Sequence, residues 1–134
     1  MNIAGEVRAG RRLAERLMID RFRFTRAVLG PPIRDDETGD LVYPPREIVY
    51  EGKGKVQTYE AHEVGIGSAG RLFTVQRYQI HVPVASGRFM IGDVGECTKA
   101  TLDPELLGRE YVVAALLHKT AATARRLQVD EVTA

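Results

Sequence analysis

The chain has 134 residues, of which 44% are hydrophobic and 28% charged, values that suit one globular domain with a core of its own. Its formal net charge of +1 gives no overall attraction to nucleic acid, and no stretch approaches the ~20 apolar residues of a transmembrane helix. The single cysteine, Cys97, excludes an intrachain disulfide and a cysteine-rich metal site, and the N-terminus lacks the apolar stretch of a secretory signal.

Residues 3 to 18 have the periodicity of an amphipathic helix. At 100° per residue the apolar side falls within an arc of about 140° and contains Ile3, Val7, Gly10, Leu13, Ala14, Leu17 and Met18. The opposite side contains Arg8, Arg11, Arg12, Glu15 and Arg16. We therefore predict an N-terminal helical segment, residues 1–19, as a partner interface. Its face of Ile3, Val7, Leu17 and Met18 would be buried against the domain or a neighbouring subunit, and its arginine face would be solvated or meet an acidic partner.

From residue 20 onward the apolar period changes to two. The segment RFRFTR places its two phenylalanines on one side and its arginines on the other, which predicts a half-buried antiparallel strand. Residues 29–45 contain four prolines and predict a loop. The following segments, EIVYEG and KVQTYEA, are separated by Gly52 and Gly54 and predict two strands or one sharply bent strand.

The second half of the chain predicts further short strands. RLFTVQRYQIHVPV is the longest candidate, and a slip of its apolar phase between Val75 and Tyr78 predicts a β-bulge. RFMIGD, VGECTKA, REYVVAALL and ARRLQVDEV follow, separated by turn residues. The whole pattern predicts a mainly β fold, a small antiparallel barrel or sandwich over residues 20–134, with one N-terminal helix in a single structural domain.

The string GIGSAG, residues 65–70, satisfies the G-x-G-x-x-G fingerprint of dinucleotide-binding folds. That site needs a strand before the glycines and a helix after them, within a βαβ unit. Here a predicted strand follows instead, and no helical crossover appears downstream. We therefore expect no nucleotide at this position, and we predict that residues 60–70 form a flexible, glycine-rich excursion between two strands.

No other motif predicts a catalytic, cofactor or metal site. The acidic segment DDETGD resembles a calcium loop, but Leu41 occupies the position where that loop requires glycine, so we expect a solvated turn with Gly39 at positive φ. His62, His81 and His118 lie far apart and show no metal-binding spacing. Cys97 is expected to be a small buried apolar residue. These observations argue against an enzyme.

Three segments together resemble a known family. They are AGRRLAERLMIDRFRFTR, then HVPV with the downstream IGDVGECTKATLDPELLGREYVV, and finally HKTAATARRLQVDEV. These segments are similar to the head-closure or stopper proteins of actinobacteriophages, which belong to the head-to-tail connectors of siphophages. The most specific parts are GD followed by DPELLGREY, and TAATARRLQV.

The resemblance implies a structural protein of the virion neck, made in the cytoplasm of the host bacterium. It implies a small β-barrel with a helical element that assembles as a homo-oligomeric ring of six or twelve copies around the DNA channel. The partners would be the portal and adaptor proteins on one side and the tail terminator or tail tube on the other. Packaged double-stranded DNA would lie close by, with no membrane and no cofactor.

Two alternatives remain open at this stage. The chain would be the adaptor of the same neck, or it would be a small OB-like module that binds nucleic acid through its basic N-terminal stretch.

The resemblance also implies that a loop retains the packaged DNA. On that basis we expect residues 60–70 to project towards the ring axis, with Gly65, Gly67 and Gly70 giving room for converging copies. Arg71 would contact phosphates without reading bases. The alternative is an ordinary hairpin tip on the outer surface.

Overall fold

The computed structural model describes residues 2–66 and 72–132, and within these ranges it describes residues 59–66 and 72–76 by their backbone alone. One helix, α1 (Ile3–Arg16), precedes the strands. In chain order the strands are β1 (Asp20–Arg26), β2 (Ile33–Arg34), β3 (Leu41–Val42), β4 (Glu47–Ile66), β5 (Leu72–Val82), β6 (Val94–Lys99), β7 (Glu110–Leu117) and β8 (Arg125–Val132). A short 3₁₀ helix, Pro104–Leu106, lies between β6 and β7.

Six of these strands close into an antiparallel barrel. Their order around the barrel is β1, β4, β5, β8, β7 and β6, and β6 pairs with β1 to complete the circle. The two remaining strands, β2 and β3, form a small separate hairpin between β1 and β4. The predicted mainly β fold with one N-terminal helix is therefore confirmed, in its barrel form.

The barrel interior is filled by apolar side chains that alternate along the strands. In β1, Phe22 and Phe24 point inward and are fully buried, while the arginines between them face outward. The buried cluster consists of Phe22, Phe24, Ile80, Val82, Phe89, Cys97, Tyr111, Val113, Leu127 and Val129. Phe24 meets Phe89 edge to face at a centroid distance of 5.1 Å. The expected burial of Cys97 is confirmed.

Two glycines make room for the phenylalanine rings. A Cβ on Gly95 would lie 2.7 Å from Cζ of Phe24, and a Cβ on Gly54 would lie 2.9 Å from Cδ2 of Phe22. The sequence pattern left open a break at Gly54, but the structure shows no break in β4 at this position. Because the glycine lacks a side chain, β4 passes over the ring of Phe22 without interruption.

The sequence left open two strands or one sharply bent strand for residues 47–61, and the structure has one continuous strand there. β4 has 20 residues and pairs with β1 in its first half and with β5 in its second half. The expected bulge lies beside Tyr78, but the extra residue, Tyr59, belongs to β4 and not to β5, because Thr58 pairs with Tyr78 and Glu60 with Arg77. β5 itself has no extra residue here, and the slip in its apolar phase coincides with the end of its pairing with β8 at Tyr78.

The segment between β5 and β6 is irregular, so the predicted strand at RFMIGD is wrong. Asp93, which is 1% exposed, fixes this segment to the end of β1. Its carboxylate accepts hydrogen bonds from Nε and Nη2 of Arg26, at 2.8 and 2.9 Å, and from the backbone N–H of Met90 at 2.8 Å. A bidentate, charge-assisted pair therefore replaces the strand pairing that this segment lacks.

The polar turn predicted within residues 29–45 is present between β2 and β3, and Gly39 has the expected positive φ of 74°. Among the described helices, none is long and apolar enough to cross a membrane.

Candidate functional site

Helix α1 is attached to the barrel by a few polar contacts. Glu15 forms an ion pair with Lys53 of β4, with an N–O distance of 3.1 Å. Nε of Arg11 donates a hydrogen bond to the carbonyl of Ala122, at 3.0 Å, in the β7–β8 connection. No residue of the helix itself is buried. The helix is therefore an accessory element on the outside of a barrel whose core is complete without it.

The predicted apolar face of the helix is buried only in part within one chain. Met18, just beyond the helix, is 4% exposed, and Val7 is half-buried. Ile3 and Leu17 are 63% and 58% exposed, so the barrel does not cover them. The reason is the rotation of the helix, which turns Arg11 and Glu15 towards the barrel. Burial of Ile3 and Leu17 would require a neighbouring subunit.

The basic face of α1 is exposed. Arg8, Arg12 and Arg16 are all solvent-accessible, and they form no ion pair with any residue in the described ranges. Arg11 and Glu15, which belong to the same side in a helical projection, instead contact the barrel. Three uncommitted guanidinium groups therefore remain available to an acidic partner.

Beyond the barrel, β4 and β5 continue as a two-stranded ribbon. Lys55–Thr58 of β4 pair with residues of β5 that also pair with β8, so this part of both strands still belongs to the barrel. Residues 60–66, in contrast, pair with residues 72–77 of β5 and, within the described residues, with no other strand. Seven residues of extended strand span about 23 Å. Residues 60–66 are thus strand, and their prediction as a flexible excursion is wrong.

Of the four residues expected to line the channel, the structure describes one. Gly65 lies in β4, near the distal end of the ribbon. Gly67, Gly70 and Arg71 lie outside the described residues. The sequence pattern predicted a loop at these glycines, whereas the structure describes a paired ribbon that includes Gly65.

The β2–β3 hairpin has an exposed apolar surface that was not predicted from the sequence. Leu29, which is 97% exposed, precedes it, and Ile33 and Tyr43 are also strongly exposed. The prolines of this segment dominated the interpretation as a loop. The apolar residues on both sides of the acidic turn were the signal that would have revealed a hairpin.

A polar surface on the outside of β4, β5 and β8 was also not predicted from the sequence. The pairing register places three basic residues in one cross-strand row and three glutamines in the adjacent row: Lys55, His81 and Arg126, then Gln57, Gln79 and Gln128. We call these six residues the basic-amide array. The repeated patterns K-x-Q, Q-x-H and R-x-Q were visible in the sequence, but only the register shows that they adjoin.

Burial shifts the pKa of several titratable groups in the described part of the chain. Burial and the nearby charges of Lys55 and Arg126 lower the pKa of His81 to about 4. Burial raises the pKa of the Cys97 thiol and raises the pKa of Tyr111 to about 12. In the described part of the chain, no three His, Cys, Asp or Glu side chains are close enough to hold a metal ion.

A cavity of about 550 Å³ lies beside the ring of Tyr111. Arg109 pairs there with Glu131 and with Glu105. Asp103 also lines this cavity, where its carboxylate accepts a hydrogen bond from the backbone N–H of Glu105 at 3.0 Å.

Comparison with known proteins identifies a family but no characterised relative. No curated protein and no solved structure matches the chain. Residues 10–130 match the model of a family of unknown function, DUF6093, and this match includes the end of α1 and nearly all of the barrel. Since the match extends over most of the sequence, the chain belongs to the DUF6093 family.

Proposed function

We propose that this protein is a structural component of a siphophage neck, a head-completion or stopper protein that forms a ring around the DNA channel between the portal with its adaptor and the tail. The proposal originates in the sequence resemblance to head-to-tail connectors. The structural observation that supports it best is the β4–β5 ribbon, which extends past every barrel pairing in the described residues.

A ring of such subunits would use the barrel as its wall and the ribbon as its inward extension. A closed barrel has no free strand edges and is a rigid support. Copies related by rotation would bring their ribbons together at the axis, where the small residue Gly65 limits crowding. The ribbon would then help to retain packaged DNA until ejection.

The exposed parts of α1 support contact with a second protein. Ile3 and Leu17 provide apolar surface, and the three arginines of the basic face provide positive charge on the same helix. Interfaces in assemblies commonly combine an apolar centre with a charged rim. We assign this helix to the contact with a neighbouring subunit or with the portal and its adaptor.

The adaptor of the same neck remains an alternative, since it would share these contacts. The OB-like alternative has less structural support. This barrel closes with six strands, whereas an OB-fold has five. The RFRF segment also buries both of its phenylalanines, so they provide no stacking surface for bases.

The decisive experiment removes the ribbon and leaves the barrel. Residues 60–76 are replaced by Asn-Gly, so that β4 and β5 are joined just beyond the Thr58–Tyr78 pair. A phage lacking the native gene is complemented with this variant. We expect heads that fill with DNA but then leak it or fail to accept tails. As a control, the β2–β3 hairpin is shortened in the same way.

Heads that retain their genome and mature into infectious particles would contradict the assignment of the ribbon to the channel. The neck assignment itself is tested separately, by imaging purified particles that carry a label on this chain. A label away from the neck would refute it. Changing Arg8, Arg12 and Arg16 together to Glu tests the helix contact, because normal joining of heads to tails would mean that this face is only solvated.

A further inference from the structure

The basic-amide array lies on a part of the barrel that the ribbon extends. Ile80 and Val82 of β5 and Leu127 of β8 are fully buried, so alternation along these strands places the array residues on the outer side. The two strands that carry the ribbon, β4 and β5, contribute four of its six members. If the ribbons point to the ring axis, the array lies on the same strands closer to the wall.

The array brings basic groups together without acids among them. Lys55 is the cross-strand partner of His81, and His81 is the partner of Arg126. Like charges on directly opposed strand residues are unfavourable. His81 relieves part of this repulsion by remaining neutral at pH 7, because its lowered pKa of about 4 lies far below that pH. Two permanent positive charges remain, one on each side of a neutral imidazole.

The positive charges are not compensated by the described surroundings. Glu15 of α1 pairs with Lys53, and Asp130 lies two residues beyond the array in β8. Nε of Arg126 is buried and has no hydrogen-bond partner in the described ranges. A buried N–H of a charged group without an acceptor is costly. Neither Lys55 nor Arg126 forms an ion pair within the described residues, so an anion at this surface would meet two uncompensated charges.

The second row of the array determines which anion fits. Glutamine amides donate hydrogen bonds to phosphate oxygens, as lysine and arginine do, and such contacts position a nucleic acid without reading its sequence. The array contains no Phe, Tyr or Trp, and the imidazole of His81 is only 6% exposed, so the array offers no stacking surface for bases. Lys55 and Arg126 are separated by two strand spacings, about 10 Å, which allows them to contact separate phosphates.

From this arrangement we infer that the basic-amide array binds the phosphodiester backbone of double-stranded DNA, and that this side of the barrel faces the DNA channel. The inference rests on the proposed neck function for its biological setting. The binding itself is a property of the isolated chain. An acidic protein surface is the alternative occupant, and the test distinguishes it.

The test is an NMR titration of the purified protein with a 12-base-pair duplex at low salt. We expect chemical-shift changes concentrated on the backbone amides of the array. They should appear with unrelated duplex sequences, because the contacts carry no base readout. Changes that are absent from the array, or that concentrate on Arg8, Arg12 and Arg16, would overturn the inference. An acidic peptide that shifts the array when DNA does not would overturn it equally.

A charge-matched pair of variants provides the control. Lys55→Gln with Arg126→Gln removes two charges from the array, whereas Arg34→Gln with Lys99→Gln removes two exposed charges elsewhere. The slope of the logarithm of the DNA-binding constant against the logarithm of the salt concentration should become shallower by about 1.8 in the array variant only. This value corresponds to about 0.9 for each of the two phosphates that the variant no longer neutralises. Equal weakening by both variants would show a general charge effect and refute the assignment. Lys55→Arg with Arg126→Lys should retain binding and shows that the surface tolerates substitution.

These results are separable from the neck proposal. DNA contact at the array is measured on the chain alone, whereas the neck assignment is measured on labelled particles. A chain that binds DNA through the array but is absent from the neck would overturn only the proposed function. A chain located in the neck whose array ignores DNA would overturn only the present inference.

Discussion

Replacing Gly95 with alanine should destabilise the barrel through one specific collision. The added Cβ would lie 2.7 Å from Cζ and 2.8 Å from Cδ1 of Phe24. The ring cannot move away easily, because it is fully buried and packs against Phe89. Overpacking of this kind costs up to about 3 kcal/mol, and alanine recovers up to about 1 kcal/mol relative to glycine within a strand. We therefore expect a net loss of about 2 kcal/mol in the free energy of unfolding.

Urea denaturation measured on four proteins tests this reasoning. They are the wild type, Gly95→Ala, Phe24→Leu and the double variant. Since the smaller leucine removes the atoms that collide, the double variant should be more stable than the sum of the single effects by at least about 1 kcal/mol. Gly30→Ala is the control, because its added Cβ would make only an ordinary contact, at 3.4 Å, with Pro44. Strictly additive effects, or a Gly95→Ala protein as stable as the wild type, would refute the argument.

Three further predictions concern stability. Asp93→Ala should lower the free energy of unfolding by about 3 kcal/mol in urea denaturation, because it leaves the partly buried guanidinium of Arg26 without its ion pair. Asp93→Asn should lower it less, and a loss below about 1 kcal/mol for the alanine variant would contradict this reasoning. His81 takes up a proton below about pH 6.5 in the unfolded chain, but only near pH 4 in the folded chain, where its pKa is about 4. The free energy of unfolding should therefore fall by up to about 3 kcal/mol as the pH decreases from 6.5 to 4, and it should fall less in His81→Asn. Wild type and His81→Asn with the same pH profile in urea denaturation would exclude this origin. Leu13→Ser with Leu17→Ser should change the free energy of unfolding of the monomer by less than about 0.5 kcal/mol, because both leucines are exposed, whereas Met18→Ala should lower it by about 2 kcal/mol or more, because Met18 is buried. Thermal melts that show the reverse order would mean that the helix is packed differently.

The sequence alone predicted the fold class because the barrel strands have clear local signals. The alternation in RFRFTR and the Tyr-Val-Val start of β7 were sufficient for those strands. The glycines of β4 were misread because a glycine beneath a ring and a glycine in a turn look identical in one sequence. Only the position of Phe22 in the adjacent strand reveals that Gly54 is needed for close packing.

The candidate surfaces were less predictable because they depend on register and on orientation. A helical projection groups the apolar and the charged residues of α1 on opposite sides, but it could not show which residues turn towards the barrel. Arg11 and Glu15 contact the barrel although both belong to the charged side. The basic-amide array combines residues from three strands, and Lys55 and Arg126 are about 70 positions apart in the chain, so no local pattern indicates their proximity.

The continuity of β4 and β5 through barrel and ribbon determines how the protein would respond to mechanical load. A pull along the ribbon is transmitted through unbroken backbone into the barrel, where β4 pairs with β1 over seven residue pairs and β5 pairs with β8 over five. Such a force is directed along these strands, so the interstrand hydrogen bonds share it in shear and must fail together. A force directed sideways at the ribbon tip would instead act as a lever and open the bonds one after another. The same hairpin is therefore stiff in one direction and compliant in another.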